Sequence, residues 1–508
     1  MSISLTDYNL LVERIAALET QMTSAKSGIL DNKNGVDTTW IALCTYLIFL
    51  MQSGFMILEA GTSRYKNYVS SLIKNLLDIC LTTAAWWICG YAFAFGTSNG
   101  RFIGSLYFAG DEIKTFDNFN NWLFQWAFAG TSATIVSGGI LERVTILGYT
   151  IFSTFVTAWI YPLIVHWCWS PTGWLKHMGY HDFAGSGVVH LTGGTMTLCA
   201  SIIIGPRIGR FDQKEKEDKK RIFHDVGEED FKPTYEPFIV LGTLILWFCW
   251  FGFNCGSTIQ ISGAAYTDIV GKIGMNTAIS GSIGGLTTFF LNYFYVYYTN
   301  KEEKYSERYS LPYLCNGILA GLVGVTSACD NVASWAAVVI GFISGLIYIG
   351  YSRLLIYLKI DDPLDASAIH GGVGTWGVVA VGWFDQTKGI LYGKGGKQFG
   401  VNLLGMVCIA AWSAFWTIAS FLLLKLVNLH RISVHDEFTG IDAKNCGGHA
   451  IKYDKYSRMY YSKILNPLYS NKTQKEIFQE IDDEIQKAYE DDIDNKKEQE
   501  SESKNINP

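Results

Sequence analysis

Residues 182–195 read DFAGSGVVHLTGGT, and residues 361–377 read DDPLDASAIHGGVGTWG. Each is an apolar, glycine-rich stretch built around one histidine, His190 in the first and His370 in the second. Either stretch could span a bilayer. An ionisable group at that depth is costly unless it faces a cavity or a partner, so function is the default reading. Two such groups point to a pore that handles protons.

The rest of the chain supports a membrane setting. Of its 508 residues, 49% are hydrophobic and only 17% charged, which indicates a polytopic membrane protein and argues against a soluble enzyme. The net charge of −6 says little about partners, because the acids concentrate at the far C-terminus. Apolar runs predict about eleven spans, at 38–60, 68–96, 119–141, 145–168, 183–204, 235–257, 268–298, 310–328, 331–357, 366–385 and 399–427. Each can cross an apolar layer of about 30 Å as a helix. The first 37 residues are mostly polar and hold no signal peptide. Most of the eleven cysteines sit singly in apolar runs (Cys44, Cys80, Cys199, Cys249, Cys408) and read as buried structural thiols.

Basic residues orient the spans. Arg64 and Lys66 follow the first span, and Arg207, Arg210, Lys214, Lys216, Lys219, Lys220 and Arg221 follow the fifth. Lys301, Lys304 and Arg308 follow the seventh, and Arg353 and Lys359 the ninth. The other side is poorer, with Lys388, Lys394 and Lys397 its main exception. The N-terminus is therefore expected outside and the C-terminus in the cytoplasm. The expected divisions are an extracellular segment 1–37, a transmembrane domain 38–430 and a cytoplasmic tail 431–508.

Eleven spans fit five plus five plus one. His190 then lies in the fifth span and His370 in the tenth. Two inverted five-helix halves joined by 212–230 would bring the imidazoles together near the midplane. Small residues such as Gly281, Gly284, Gly285, Gly317, Gly321, Gly324, Gly341 and Gly345 predict closely packed helices. Leu11, Ile15, Leu18 and Met22 have heptad-like spacing, compatible with an oligomer coil. From about Lys472 the tail is polar and charged, which predicts a short helix followed by disorder.

Several other residues could carry chemistry. The segment WFCWFGFNCGS, 247–257, puts Phe253 and Ser257 on one helix face. Phe128 lies in QWAFAG, and HWCWS closes the fourth span with Trp167 and Trp169. Aromatic faces attract cations, so such rings beside a hydroxyl would suit a small hydrogen-bonding cation; alternatively they form a membrane belt. Asp182 precedes His190 by eight residues and could cap that helix or lend charge to a cation path. Glu59 and Asp365 read as helix-end or packing acids. No metal or cofactor is expected, since two histidines fall short of a zinc site. An intramembrane enzyme is not expected either, because neither Ser186 nor Thr192 has a convincing triad partner.

DFAGSGVVH, WFGFNCGS, DDPLDASAIHGGVG and QWAFA, with LER after the third span, closely resemble the ammonium transporters of the Amt/Mep/Rh group, above all plant-type Amt members. HWCWSPTGW and GPRIGRFD add to the match, which runs from about residue 38 to 450. The resemblance implies an all-α fold of eleven spans, an outside N-terminus and a homotrimer with one pore per subunit. It implies that Trp169 and Ser257, with Phe128, recruit ammonium at an outer site supported by Asp182. It makes Phe128 and Phe253 the stacked gate, and His190 and His370 the pore lining. Two departures stand out. In EFTGIDAKNCGGHA, 437–450, Lys444 stands where plant-type members carry a threonine and Cys446 replaces a histidine, so their phosphorylation shut-off is not expected. The N-terminal segment has no cysteine for a disulfide between subunits.

The function these readings imply is transport of ammonium or ammonia, with methylammonium a substrate variant and the lipid bilayer the surroundings. The alternative is an ammonium sensor signalling through its tail. The plasma membrane is the expected location, with an endosomal membrane the alternative.

Overall fold

The computed structural model describes residues 4–98, 100–114, 116–211, 231, 233–299 and 308–446. The linker 212–230, Lys301, Lys304 and the tail beyond Cys446 lie outside the described residues.

The described chain is helical, with no strand. It begins with α1 (Leu5–Thr62), capped by the Ser4 hydroxyl, which accepts from the Asp7 N–H at 3.2 Å. Then come α2 (Tyr68–Ala85), α3 (Tyr91–Phe95), α4 (Phe116–Gly139), α5 (Ile146–Phe155), α6 (Tyr161–Cys168), α7 (Trp174–Met178) and α8 (Thr192–Ile204). The second part holds α9 (Glu236–Gly256), α10 (Ala264–Thr299), α11 (Leu311–Val325), α12 (Ser334–Tyr357), α13 (Val373–Phe384) and α14 (Lys397–Leu426). Two short helices end it, α15 (Val434–Thr439) and α16 (Ile441–Asn445). Pro237 and Pro312 fall in the first turns of α9 and α11, where a missing N–H costs nothing. Four π-helical turns interrupt the long helices, at Trp86–Gly90, Val156–Ile160, Ser186–Leu191 and Ser367–Gly372. The last two contain His190 and His370, in keeping with the tendency of such turns to mark functional sites.

Among the described residues, seven helical segments are long and apolar enough to cross a membrane: Leu5–Thr62, Tyr65–Phe95, Ile146–Cys168, Ser186–Ile204, Glu236–Gly256, Ser334–Tyr357 and Lys397–Leu426. The bundle is tight where small residues meet. A Cβ on Gly284 would lie 2.9 Å from the Gly321 Cα, so α10 and α11 cross backbone against backbone. Cys44 and Cys249 are buried as expected. Cys80 is exposed instead, because it lies on the outward face of α2, and Cys199 and Cys408 are only partly buried. Apolar surroundings there are the business of lipid, not of the protein core.

One end of the bundle is stapled by ion pairs that explain the LER and GPRIGRFD motifs. Glu142, at a positive φ of 69°, meets Arg64 Nε at 2.6 Å and Arg207 at 3.4 Å. Asp361 meets Arg143 at 2.8 Å and Arg207 at 2.8 Å. Burial raises the Glu142 pKa, but Arg64 and Arg207 outweigh it and hold the carboxyl at about 2. Asp361 is likewise held far below the usual carboxylate range, burial again being outweighed by Arg207 and Arg143. The start of the C-terminal region docks on the same end. Glu437 accepts from Arg431 at 2.8 Å and from the Ile208 N–H at 2.7 Å. Asp442 accepts from the Val69 and Ser70 N–H groups, at 2.9 and 2.8 Å, and so caps α2. Lys444 pairs with Asp436 at 2.8 Å.

Glu59 and Asp365 have the packing roles the sequence indicated. Glu59 accepts from Asn75 at 3.0 Å and Ser71 at 3.1 Å, with Lys74 at 3.6 Å. Asp365 accepts from Ser352 at 2.7 Å and Tyr348 at 2.9 Å.

Candidate functional site

The two histidines meet. His190 Nδ1 and His370 Nδ1 lie 3.2 Å apart, with both rings buried. The rings are nearly parallel, 5.1 Å between centroids. Two ring nitrogens at that distance share one hydrogen, so one donates and the other accepts. At least one ring of the pair is therefore neutral. His190 Nε2 is buried and has no partner among the described residues, which leaves it free to meet a guest.

Their placement follows from local sequence. Asp182 sits just ahead of the π-helical turn Ser186–Leu191, where N–H groups lack partners. Its carboxylate accepts from the N–H groups of Gly185, Gly187 and Val188 at 3.0, 2.9 and 2.8 Å, and from the Ser327 hydroxyl at 2.6 Å. Gly185 adopts φ 109°, a conformation only glycine takes easily, and a Cβ there would press on the Trp169 ring at 3.2 Å. Asp182 is thus the cap of the helix that carries His190. Its backbone oxygen also accepts from Trp169 Nε1 at 2.8 Å. Its side chain is held by these donors, and the residue ties the Trp169 indole to the turn that carries His190.

The tenth-span histidine is held the same way. Asp362 accepts from the Ala366 and Ser367 N–H groups at 3.1 and 2.7 Å, at the mouth of the turn Ser367–Gly372. It precedes His370 by eight residues, the same interval as Asp182 to His190. Sequence reasoning passed over Asp362, although that shared interval was the signal. The two segments cross without side chains between them. A Cβ on Gly194 would lie 2.6 Å from the His370 carbonyl carbon.

Aromatic rings line up outward from the histidines. Phe253 stacks on His190 at 5.5 Å, and Phe128 lies against Phe253 at 4.2 Å with the rings tilted by 32°. Trp169 meets Phe128 edge-on at 5.7 Å. Phe128 and Phe253 are fully buried, and Phe128 lines an outer cavity of about 270 Å³ together with Trp169, Ser257, Asp182, Gln125 and Lys176 among others. Ser257 is the C-cap of α9, and its hydroxyl donates to the Phe253 oxygen at 2.9 Å. That bond leaves the hydroxyl oxygen free to accept. Trp250 stacks on His190 at 5.1 Å and Phe55 lies 6.3 Å from His370, two neighbours the sequence did not single out. A ring of either kind reads in sequence as ordinary span apolarity.

Trp167 goes elsewhere. Its indole donates to the Phe102 oxygen at 2.9 Å, and it lines an apolar cleft of about 610 Å³ with Trp174 and Trp412. That cleft is larger than the outer cavity but holds none of Trp169, Phe128, Phe253, Ser257, His190 and His370. At the other end of the bundle, Leu58, Thr62, Asp361, Asp362 and Asp365 line a cavity of about 410 Å³.

Comparison with known proteins gives the family. The family model described as Ammonium Transporter Family matches residues 39–451. Ammonium transporter 1 member 3 of Solanum lycopersicum is 35% identical over 462 residues, covering 84% of this chain and 95% of that protein. Ammonium transporter 3 of Dictyostelium discoideum is 33% identical, covering 82% of this chain and 95% of that one. Among solved structures, one titled Sensor Amt Protein is 33% identical, with a TM-score of 0.71, and covers 82% of this chain and 99% of its own. Mep2 of Saccharomyces cerevisiae is 28% identical with a TM-score of 0.68, covering 78% of this chain and 88% of its own.

Proposed function

This chain belongs to the ammonium transporter family, and on that premise we propose how it moves ammonium across a membrane. Ammonium transport is its activity; the route and the residues are the proposal. The observation that carries it is the unbroken line Trp169, Phe128, Phe253, His190, His370, each ring within 5.7 Å of the next.

Ammonium would enter the outer cavity and rest against the faces of Trp169 and Phe128, held by cation–π attraction. The Ser257 oxygen would accept one of its N–H groups. Phe128 and Phe253, stacked over the path, exclude a hydrated ion, and a bare charge gains no solvation beyond them. Ammonium can resolve that by giving up a proton to water at the mouth of the outer cavity and going on as ammonia; potassium cannot. Selectivity is then chemical, not a matter of diameter. Beyond the gate, the His190–His370 pair meets the guest with ring nitrogens, and its shared hydrogen can pass between the rings. Asp182 and Asp362 position these residues and do not contact the substrate.

The wider frame is eleven spans in two inverted halves plus one, an outside N-terminus, a cytoplasmic tail and a homotrimer in the plasma membrane. The basic loops support the orientation. The relatives reported are named for transport, with one structure titled as a sensor, so flux is the primary reading. Replacing His190 or His370 with Ala tests the route. Reduced methylammonium uptake or loss of selectivity over potassium is expected. Wild-type uptake and selectivity in both variants, with equal surface protein, would remove the histidines from the path.

A further inference from the structure

The first part of α1 stands apart from the bundle. Every residue from Ser4 to Val36 is exposed, yet the helix runs unbroken into the segment that enters the membrane. Its root is fixed. Asp37 accepts from the Ile261 and Ser262 N–H groups at 2.9 and 2.8 Å, and Trp40 Nε1 donates to Thr258 at 3.2 Å. A rod of about 50 Å therefore projects from the bundle, at 1.5 Å per residue.

That rod carries an apolar seam. Tyr8, Leu11, Ile15, Leu18, Met22, Ala25, Ile29 and Val36 fall at alternating intervals of three and four residues, broken only by Asn32. The repeat extends over four heptads, well beyond the short run from Leu11 to Met22. Ile15, Leu18 and Ile29 are 48%, 63% and 69% exposed, large apolar side chains that water would ordinarily drive under cover. The drift of about 20° per heptad between a straight helix and a seven-residue repeat is absorbed only by winding helices around one another, so a sustained seam of this period calls for a second helix of the same period.

We propose that this seam is the contact face of a parallel coiled coil formed with the same segment of other copies of this chain. The first argument is period: only another helix with a heptad seam interdigitates with this one throughout. The second is charge. With Tyr8, Ile15, Met22, Ile29 and Val36 at the a positions, Arg14 takes a g position and Glu19 the following e position. In a parallel, in-register coil those two residues of neighbouring strands face each other with opposite sign. The third is geometry. Copies embedded in one membrane with the same orientation present these rods side by side and parallel. Ile and Val at a with Leu at d favour two strands in a free coil; in a membrane assembly, the packing of the subunits sets the number. The coil thus acts as an oligomer clamp outside the bundle, and it does not depend on which solute the protein carries.

Cysteine cross-linking of the full-length protein in membranes tests this. Leu18 lies on the seam and Thr20 on the opposite face, and the native cysteines begin at Cys44. On mild oxidation, Leu18→Cys is expected to give a major band at twice the chain mass, while Thr20→Cys and the unaltered chain do not. Arg14→Glu in the Leu18→Cys background slows cross-linking several-fold, and adding Glu19→Arg restores it. No cross-link from Leu18→Cys, or equal cross-linking from Thr20→Cys, overturns the proposal, as does a charge swap that fails to restore the rate.

Discussion

Asp182 offers the sharpest test of how the site is built. Replacing it with Asn keeps shape and volume but exchanges one acceptor oxygen for a donor NH₂. One carboxylate oxygen takes the Gly187 and Val188 N–H groups, and the other takes Gly185 N–H and the Ser327 hydroxyl. The least damaging arrangement turns the NH₂ toward Ser327, whose hydroxyl can rotate to accept. Gly185 N–H then faces a donor and stays unsatisfied, at about 1–3 kcal/mol. The remaining bonds lose charge assistance, roughly 1 kcal/mol each. The total is about 3–5 kcal/mol, concentrated on the turn that carries His190 and on the Trp169 indole. Purified protein in detergent should show a clearly lowered melting temperature, and vesicle uptake of methylammonium should fall at least tenfold at equal protein. An Asn variant with wild-type melting and uptake would refute the claim that this carboxylate builds the site.

Other perturbations act on neighbouring parts. Asp362→Asn strands fewer donors, so a loss of about 1–3 kcal/mol and a smaller fall in uptake are expected, measured in the same two assays. Glu142→Gln leaves Arg64 and Arg207 without their shared buried charge, at about 3–5 kcal/mol, read as a lower melting temperature. The Glu142 carboxyl drops from its ordinary 4.5 to about 2 on folding. Its contribution is thus present above pH 4.5 and lost as pH falls toward 2, so the Gln variant should lose less stability than wild type over that interval. Gly194→Ala pushes a methyl into the His370 backbone, and uptake should fall sharply even where the protein reaches the membrane. Unchanged uptake would show that the two turns do not cross as described.

The sequence carried the outline of this site and missed its supports, for physical reasons. A histidine in an apolar stretch is conspicuous because water is absent there, and two of them invite pairing. Phe128, Phe253, Trp169 and Ser257 became legible through motifs. Phe55 and Trp250 did not, since a ring inside a span is ordinary until its neighbour is known. Asp362 was hidden inside DDPLD, where three acids compete for notice and only folding separates the staple partner Asp361 from the cap Asp362. The π-helical turns have no period of their own in the sequence. The ion-pair staple at one end of the bundle depends on Glu142 at a positive φ, a backbone choice no composition announces. The length of α1 was foreshortened for another reason: polar residues before Thr38 end the apolar run, yet they do not end the helix.

The most direct test of transport is to record current and uptake together in oocytes expressing this chain, applying ammonium, methylammonium and potassium in turn. Saturable uptake with ammonium and methylammonium, and no potassium current, is the predicted result. No ammonium flux with the protein confirmed at the surface, or a potassium current as large as that for ammonium, would contradict it.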